Sequence, residues 1–309
     1  MFAPGCRPSG RTYCDPRPMT AQVLIDAFRL PAQALVGQRI PKKLLVEQGA
    51  PTAADKRLIN DTVDELWWQA TIKPGTVGVP AFHAVLSASA APSSNGETAT
   101  EGATGSDAAA DATDVIELAL VSARLRPPTR EAQARRLMQL IHRAIPYPVL
   151  LVAQAPSGTV LSLAHKRASL GEAGKWVVAE GADTYAFDPA QPTAAEAQFM
   201  ASLALDQLPR SALADLRALY QAVADRVTAL AVAHVTGSYT APEGEEAESG
   251  GGAAAQRLAL AERGQLLEQL ASARNAAAKA RQMSQRVDLN LQIQQLQRQL
   301  QDIQTRLTA

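Results

Sequence analysis

From Ala253 to Ala309 the chain contains no proline and a single glycine, Gly264. Within that stretch Leu289, Ile293, Leu296, Leu300, Ile303 and Leu307 follow one another at alternating spacings of four and three. Apolar residues in that rhythm occupy the a and d positions of a helix, a seam that is stable only against another helix. The expectation is a long coiled-coil helix over 253–309, with these six residues as its interface. Upstream, Leu266, Leu270, Ala273, Ala277, Ala280 and Val287 continue the seam weakly and out of phase. A phase break means that the helix bends or changes partner. Self-pairing, pairing with another protein and an intramolecular fold-back near Asn275 all stay open. Gln295, Gln299 and Gln301 contribute no charge with which to choose among them.

Ahead of the coiled coil, residues 239–252 form a flexible acidic linker, in which TAPEGEEAESGGG at 240–252 follows Tyr239. Residues 191–238 are helical by composition, with Pro209 separating a shorter segment from a helix that runs from Ala212 to Val235. A second low-complexity stretch, 87–113, is Ala, Ser, Thr, Gly and acid without apolar periodicity. It buries too little to offset its ordering entropy, and is read as a disordered insertion. Residues 1–18 are read as a disordered tail. Cys6 and Cys14 both lie there, with no neighbouring ligand set for zinc.

The remaining segments carry the folded body. Residues 19–86 are expected to be a helical region, with a helix over 20–35 and a stronger one from Thr52 to Ala70. Thr52 serves as its N-cap and Asp55 sits in its first turn. In that reading the adjacent Trp67 and Trp68 project about 100° apart. The core spans 114–190. VIELALVSARL alternates as a strand, with Ile116, Leu118 and Leu120 on one face. Pro127 and Pro128 stop it, and Thr129 opens a helix to Ala144 that buries Ala134, Leu137, Met138 and Ile141. PVLLVAQ, Pro156-Ser157-Gly158 and TVLSLAHKR read as strand, turn and return strand, and WVV and TYAFD supply further strands. The order predicts an α+β fold: a small antiparallel sheet with a packed helix, flanking helical segments and the long C-terminal helix.

Lys and Arg total 30 and Asp and Glu total 30, so overall charge points to neither a polyanion nor a membrane. No apolar run reaches the ~20 residues of a membrane span, and no apolar leader opens the chain. The expectation is a cytoplasmic protein. The densest local charge is basic: Arg124, Arg126, Arg130, Arg135, Arg136 and Arg143, followed by Lys166 and Arg167. Of these, Arg135, Arg136, Arg143, Lys166 and Arg167 are the candidate phosphate or nucleic-acid ligands, because guanidinium groups grip phosphate bidentately. His142 and His165 are the candidates for acid–base work. No carboxylate cluster, nucleophile, nucleotide loop or metal-ligand spacing accompanies them, so no cofactor, metal or catalytic set is expected.

Three segments together resemble a bacterial family, domain of unknown function number 4391: RIPKKLLVEQG with DKRLINDTVDELWWQATIKPGTVGVPAF, RRLMQLIHRAIPYPVLLVAQ with VLSLAHKR, and RQMSQRVDLNLQIQQLQRQL. The resemblance implies no catalytic activity. It implies a context of restriction-like antiphage islands, beside helicases and DNA methyltransferases. The functional expectation is a non-catalytic accessory subunit that docks a helicase or methyltransferase, with contact to DNA phosphates and self-association through the coiled coil left open. The alternative is a cryptic nuclease, or other phosphate-directed enzyme, built on His142, His165, Lys166 and Arg167.

Overall fold

The computed structural model describes residues 18–83, 114–155, 158–164, 166–168, 176–178, 183–242 and 251–308. Residues 1–17 of the expected 1–18 tail, the insertion at 87–113, residues 243–250 of the linker, His165 and both cysteines lie outside these residues; Pro18 is the first residue of a helix.

A six-stranded sheet organises the body. It is built from β1 (Leu35–Arg39), β2 (Val63–Ile72), β3 (Leu118–Leu125), β4 (Val149–Ala155), β5 (Gly158–Leu163) and β8 (Asp183–Phe187), in that spatial order. The short β6 (Lys166–Ala168) and β7 (Trp176–Val178) pair separately as an antiparallel ribbon. The α+β class holds, but the sheet is mixed rather than antiparallel: β3 and β4 run parallel. The reason is the crossover helix between them, α5 (Glu131–Ala144), which returns the chain to the same end of the sheet.

Strand β3 shows why helices cover both faces. Only Arg124 of its eight residues escapes full burial. Leu118 and Leu120 join one core cluster with Leu24, Phe199, Leu216 and Tyr220, from α1 (Pro18–Ala27), α6 (Ala194–Ser202) and α7 (Leu216–Thr236). Ala119, Val121, Ala123 and Leu125 join a second, with Leu45, Ile59, Leu137 and Ile141, from α2 (Lys42–Gly49), α3 (Ala53–Thr62) and α5. The expected inward Ile116 precedes the strand and is 52% exposed. On α5, Ala134, Leu137, Met138 and Ile141 are buried as the helical spacing predicts, and the first helical residue is Glu131. Gly49 marks the α2–α5 contact. A Cβ there would stand 2.7 Å from the Leu140 carbonyl oxygen and 2.9 Å from Ala144 Cβ.

Two expected helices are shorter than their periodicity implied. The helix begun at Thr52, whose Oγ1 accepts from Asp55 N at 3.1 Å, ends at Thr62. From Val63 the chain is β2, paired along its length with β3. Val63, Trp67, Trp68, Thr71 and Ile72 are strand-forming types, and sheet pairing overrides the helical spacing that Leu58 and Ile59 began. Trp67 and Trp68 therefore face opposite sides of a sheet. Near the N-terminus, α1 stops at Ala27; Arg29 takes φ +47° and Pro31 follows, so Leu35 enters β1 instead of closing a helix. The stretch expected to be helical thus supplies two of the six strands.

The region from 191 to 238 is helical as expected, with α7 starting at Leu216, where the Asp215 carboxylate accepts from Ala218 N at 2.8 Å. The C-terminal helix is two: α8 (Gly251–Lys279) and α9 (Met283–Thr308), joined at 280–282. They form an antiparallel hairpin, clipped near its base by Arg306 Nη1 to Glu262 at 3.0 Å. Leu266, Leu270 and Ala273 of α8 pack with Leu296, Ile303 and Leu307 of α9, and Val232 of α7 closes the cluster. Arg257 of α8 reaches the buried Asp225 of α7 at 3.2 Å. Burying each Leu, Ile or Val side chain of this seam contributes about 1.5–3 kcal/mol.

Candidate functional site

The arginines expected to hold phosphate lie on or near α5, and several face carboxylates of this same chain. Arg136 grips Asp55 with both Nε (2.9 Å) and Nη2 (3.0 Å). Arg135 pairs with Glu131 at 2.8 Å, one turn back on the exposed side of α5. Arg124 bridges Asp64 at 2.9 Å and Glu65 at 2.7 Å, and Arg126 also reaches Asp64 at 3.5 Å. Arg143 is exposed in the last turn of the helix. A phosphate arriving at Arg124 or Arg136 would have to displace an intramolecular carboxylate. Opposite Trp67 on β3, Ser122 accepts from Gln69 Nε2 at 2.7 Å, so this polar end of the sheet is knitted together too.

Of the second expected cluster, the structure describes the side chains of His142 and Lys166. His142 is fully buried, and its Nε2 shares a hydrogen bond of 2.9 Å with the equally buried Ser162 Oγ. Its Nδ1 has no partner among the described residues. Burial first, and the charge of Lys166 second, push its pKa down to about 3, so the ring is neutral across the physiological range. Lys166 enters from β6 and its Nζ donates to the carbonyl oxygens of Ile145 and, at 2.5 Å, Tyr147, just past the end of α5. Burial pushes this lysine down to about 7. A cation held just behind a helix C-terminus complements the negative end of the helix dipole. Arg167 follows Lys166 on β6, paired with Val177. The structure therefore brings His142, Ser162 and Lys166 together inside the body. Among the described residues no group of three His, Cys, Asp or Glu is placed to hold a metal ion. No helix among them is long and apolar enough to cross a membrane.

The six seam residues go three ways. Leu296, Ile303 and Leu307 are buried, Ile293 and Leu300 pack partly buried beside them, and Leu289 is half-buried towards the tip. Their partner is α8 of the same chain. The apolar residues that α9 leaves exposed are different ones: Met283 (73%), Leu291 (59%) and Val287 (50%). Spaced at i, i+4 and i+8, they form one stripe on the side of α9 turned away from the seam. The sequence carried this signal as the out-of-phase Val287, which belongs to a second face rather than to a weakened first one.

A family model described as Domain of unknown function (DUF4391) matches residues 28–87 and 108–300. The chain belongs to this family. The matched residues take in the whole described sheet, α5 and most of the hairpin. No curated protein and no solved structure matches the chain.

Proposed function

We propose that this family member is a non-catalytic assembly subunit of a bacterial restriction-like antiphage system, which docks a helicase or DNA methyltransferase of that system through its helical hairpin. The observation that carries the reading is the exposed stripe of Met283, Val287 and Leu291. A helix that has already filled its seam gains nothing within its own chain from a second apolar face. Large exposed side chains in a row cost solubility and are the usual mark of a contact surface. The occupant is an apolar helix or groove on the partner protein. The body's chemistry is consistent with a scaffold: the histidine is sealed and neutral, and Arg124, Arg126, Arg135 and Arg136 are matched by internal acids.

The test is the full chain carrying Met283→Ser, Val287→Ser and Leu291→Ser, co-expressed with the helicase and methyltransferase proposed as its partners. The variant is expected to keep its helicity and to lose co-elution with the partner. Undiminished co-elution would remove the stripe from the interface.

A further inference from the structure

The joined end of the hairpin carries a second local excess of positive charge. From Gln269 to Val287 there are four cations, Arg274, Lys279, Arg281 and Arg286, and no acid; Glu268 and Asp288 bound the stretch. All four cations are exposed. None of them forms an ion pair with a described residue, in contrast to Arg124, Arg126, Arg135 and Arg136 of the body. The chain as a whole is neutral, so this is a local concentration and not a reflection of composition.

The position of the concentration matters as much as its sign. The hairpin's buried contacts run out at Ala273 on α8 and at Leu296 on α9, and every residue between them is exposed or half-buried. A helix of the length of α8 extends about 40 Å, so its last two turns stand well clear of the α7 contact at its base. Around the cations lie small or amide residues, Ser272, Asn275, Ala276, Gln282 and Ser284, together with the exposed Met283 and Val287. The small side chains among them let a helix approach a charged backbone closely. The first turn of α9, whose early N–H groups lack helical partners, carries no acid either and adds favourable dipole to the same end.

We propose that this tip contacts the phosphate backbone of duplex DNA. The chemistry is sequence-independent: four exposed cations at the joined end of two helices fit a surface whose charges repeat about every 1.7 Å along the axis. An acidic protein surface is the other polyanion that the charge admits. The surround of the cations holds no aromatic side chain of the kind on which protein contacts centre, and favours a wet backbone contact; Met283 and Val287 in the same stretch belong to the docking stripe. The inference moves phosphate contact from α5 to the hairpin. It deepens the assembly reading, on which the biological setting rests, yet its test needs only the isolated chain.

The experiment is fluorescence anisotropy of a short labelled duplex with the full chain, titrated between about 50 and 200 mM salt. Two variants accompany it: Arg274→Gln, Lys279→Gln, Arg281→Gln and Arg286→Gln together, and Arg135→Gln with Arg143→Gln. Glutamine preserves helix propensity, and circular dichroism verifies the fold. The quadruple variant is expected to bind at least tenfold more weakly, and the slope of log K against log salt to shrink by about three. The α5 variant is expected to bind like the parent. Equal binding by the quadruple variant, or loss confined to the α5 variant, overturns the proposal. A parent chain that ignores DNA but binds poly-glutamate at the same salt overturns it in favour of an acidic protein partner. Loss of helicase or methyltransferase co-elution leaves the anisotropy result untouched, so the two readings fail separately.

Discussion

Arg136 of α5 holds Asp55 of α3 through two parallel hydrogen bonds of 2.9 and 3.0 Å, joining elements 81 residues apart in sequence. Thr52 Oγ1 donates to the same carboxylate at 2.8 Å while capping α3. Arg136 first, and Thr52 second, hold the Asp55 carboxyl below the usual carboxylate range. A lowered folded pKa means that the pair stabilises fully above the ordinary aspartate range, and that this stability is lost as pH falls towards the folded value. Asp55→Asn should therefore lower the melting temperature at neutral pH and flatten its decline in acid. Arg136→Gln should do the same, and the double variant should cost less than the sum. Thermal unfolding across pH for the four proteins checks this double-mutant cycle.

His142 gives the opposite-signed group the same direction of pH dependence. The unfolded histidine titrates in its ordinary range, whereas the folded one waits until about 3. Between those values the unfolded state binds the extra proton, so stability falls as the solution is acidified. His142→Leu should remove that slope. At neutral pH it should cost about 1–3 kcal/mol, because Ser162 Oγ loses its buried partner. Urea unfolding across the acid range distinguishes the two effects.

Lys166 extends the trend into base. Its folded pKa of about 7 lies below the unfolded lysine's, so between them the unfolded state again carries the extra proton. Stability should rise with pH from about 7 towards 10. Lys166→Met should lose the rise, and the difference in unfolding free energy between parent and variant reads it directly.

The seam has a structural task, and its truncation should be severe. Ile303 is 1% exposed and Leu296 is 5% exposed. Either residue changed to Ala should cost about 2–5 kcal/mol through lost burial and a residual cavity. The loss should appear as an early, partial fall in helicity while near-ultraviolet signals of the body persist. Serine at Met283, Val287 and Leu291 should leave that transition in place, because those side chains are already in water.

Much of this architecture was legible in local patterning. The α5 face, the β4–β5 hairpin, the Thr52 cap and the a/d seam each carry their signal within one continuous stretch of chain. Other features depend on distant partners. The turnover from α3 to β2 at Val63 is decided by the ladder to β3, across the 87–113 segment, and no local period announces it. The parallel β3–β4 pair follows from where α5 packs. Arg136 looked like a free cation because Asp55 is remote in sequence. The cations at the hairpin tip were present in the sequence, but their freedom from acids became visible only once Arg306 and Arg257 were placed against Glu262 and Asp225.

The most direct measurement is co-expression of the tagged, unmodified chain with the helicase and methyltransferase proposed as its partners, followed by the mass of what elutes. The account predicts a stable heteromeric complex containing one or both enzymes. A lone monomer or homodimer would contradict it.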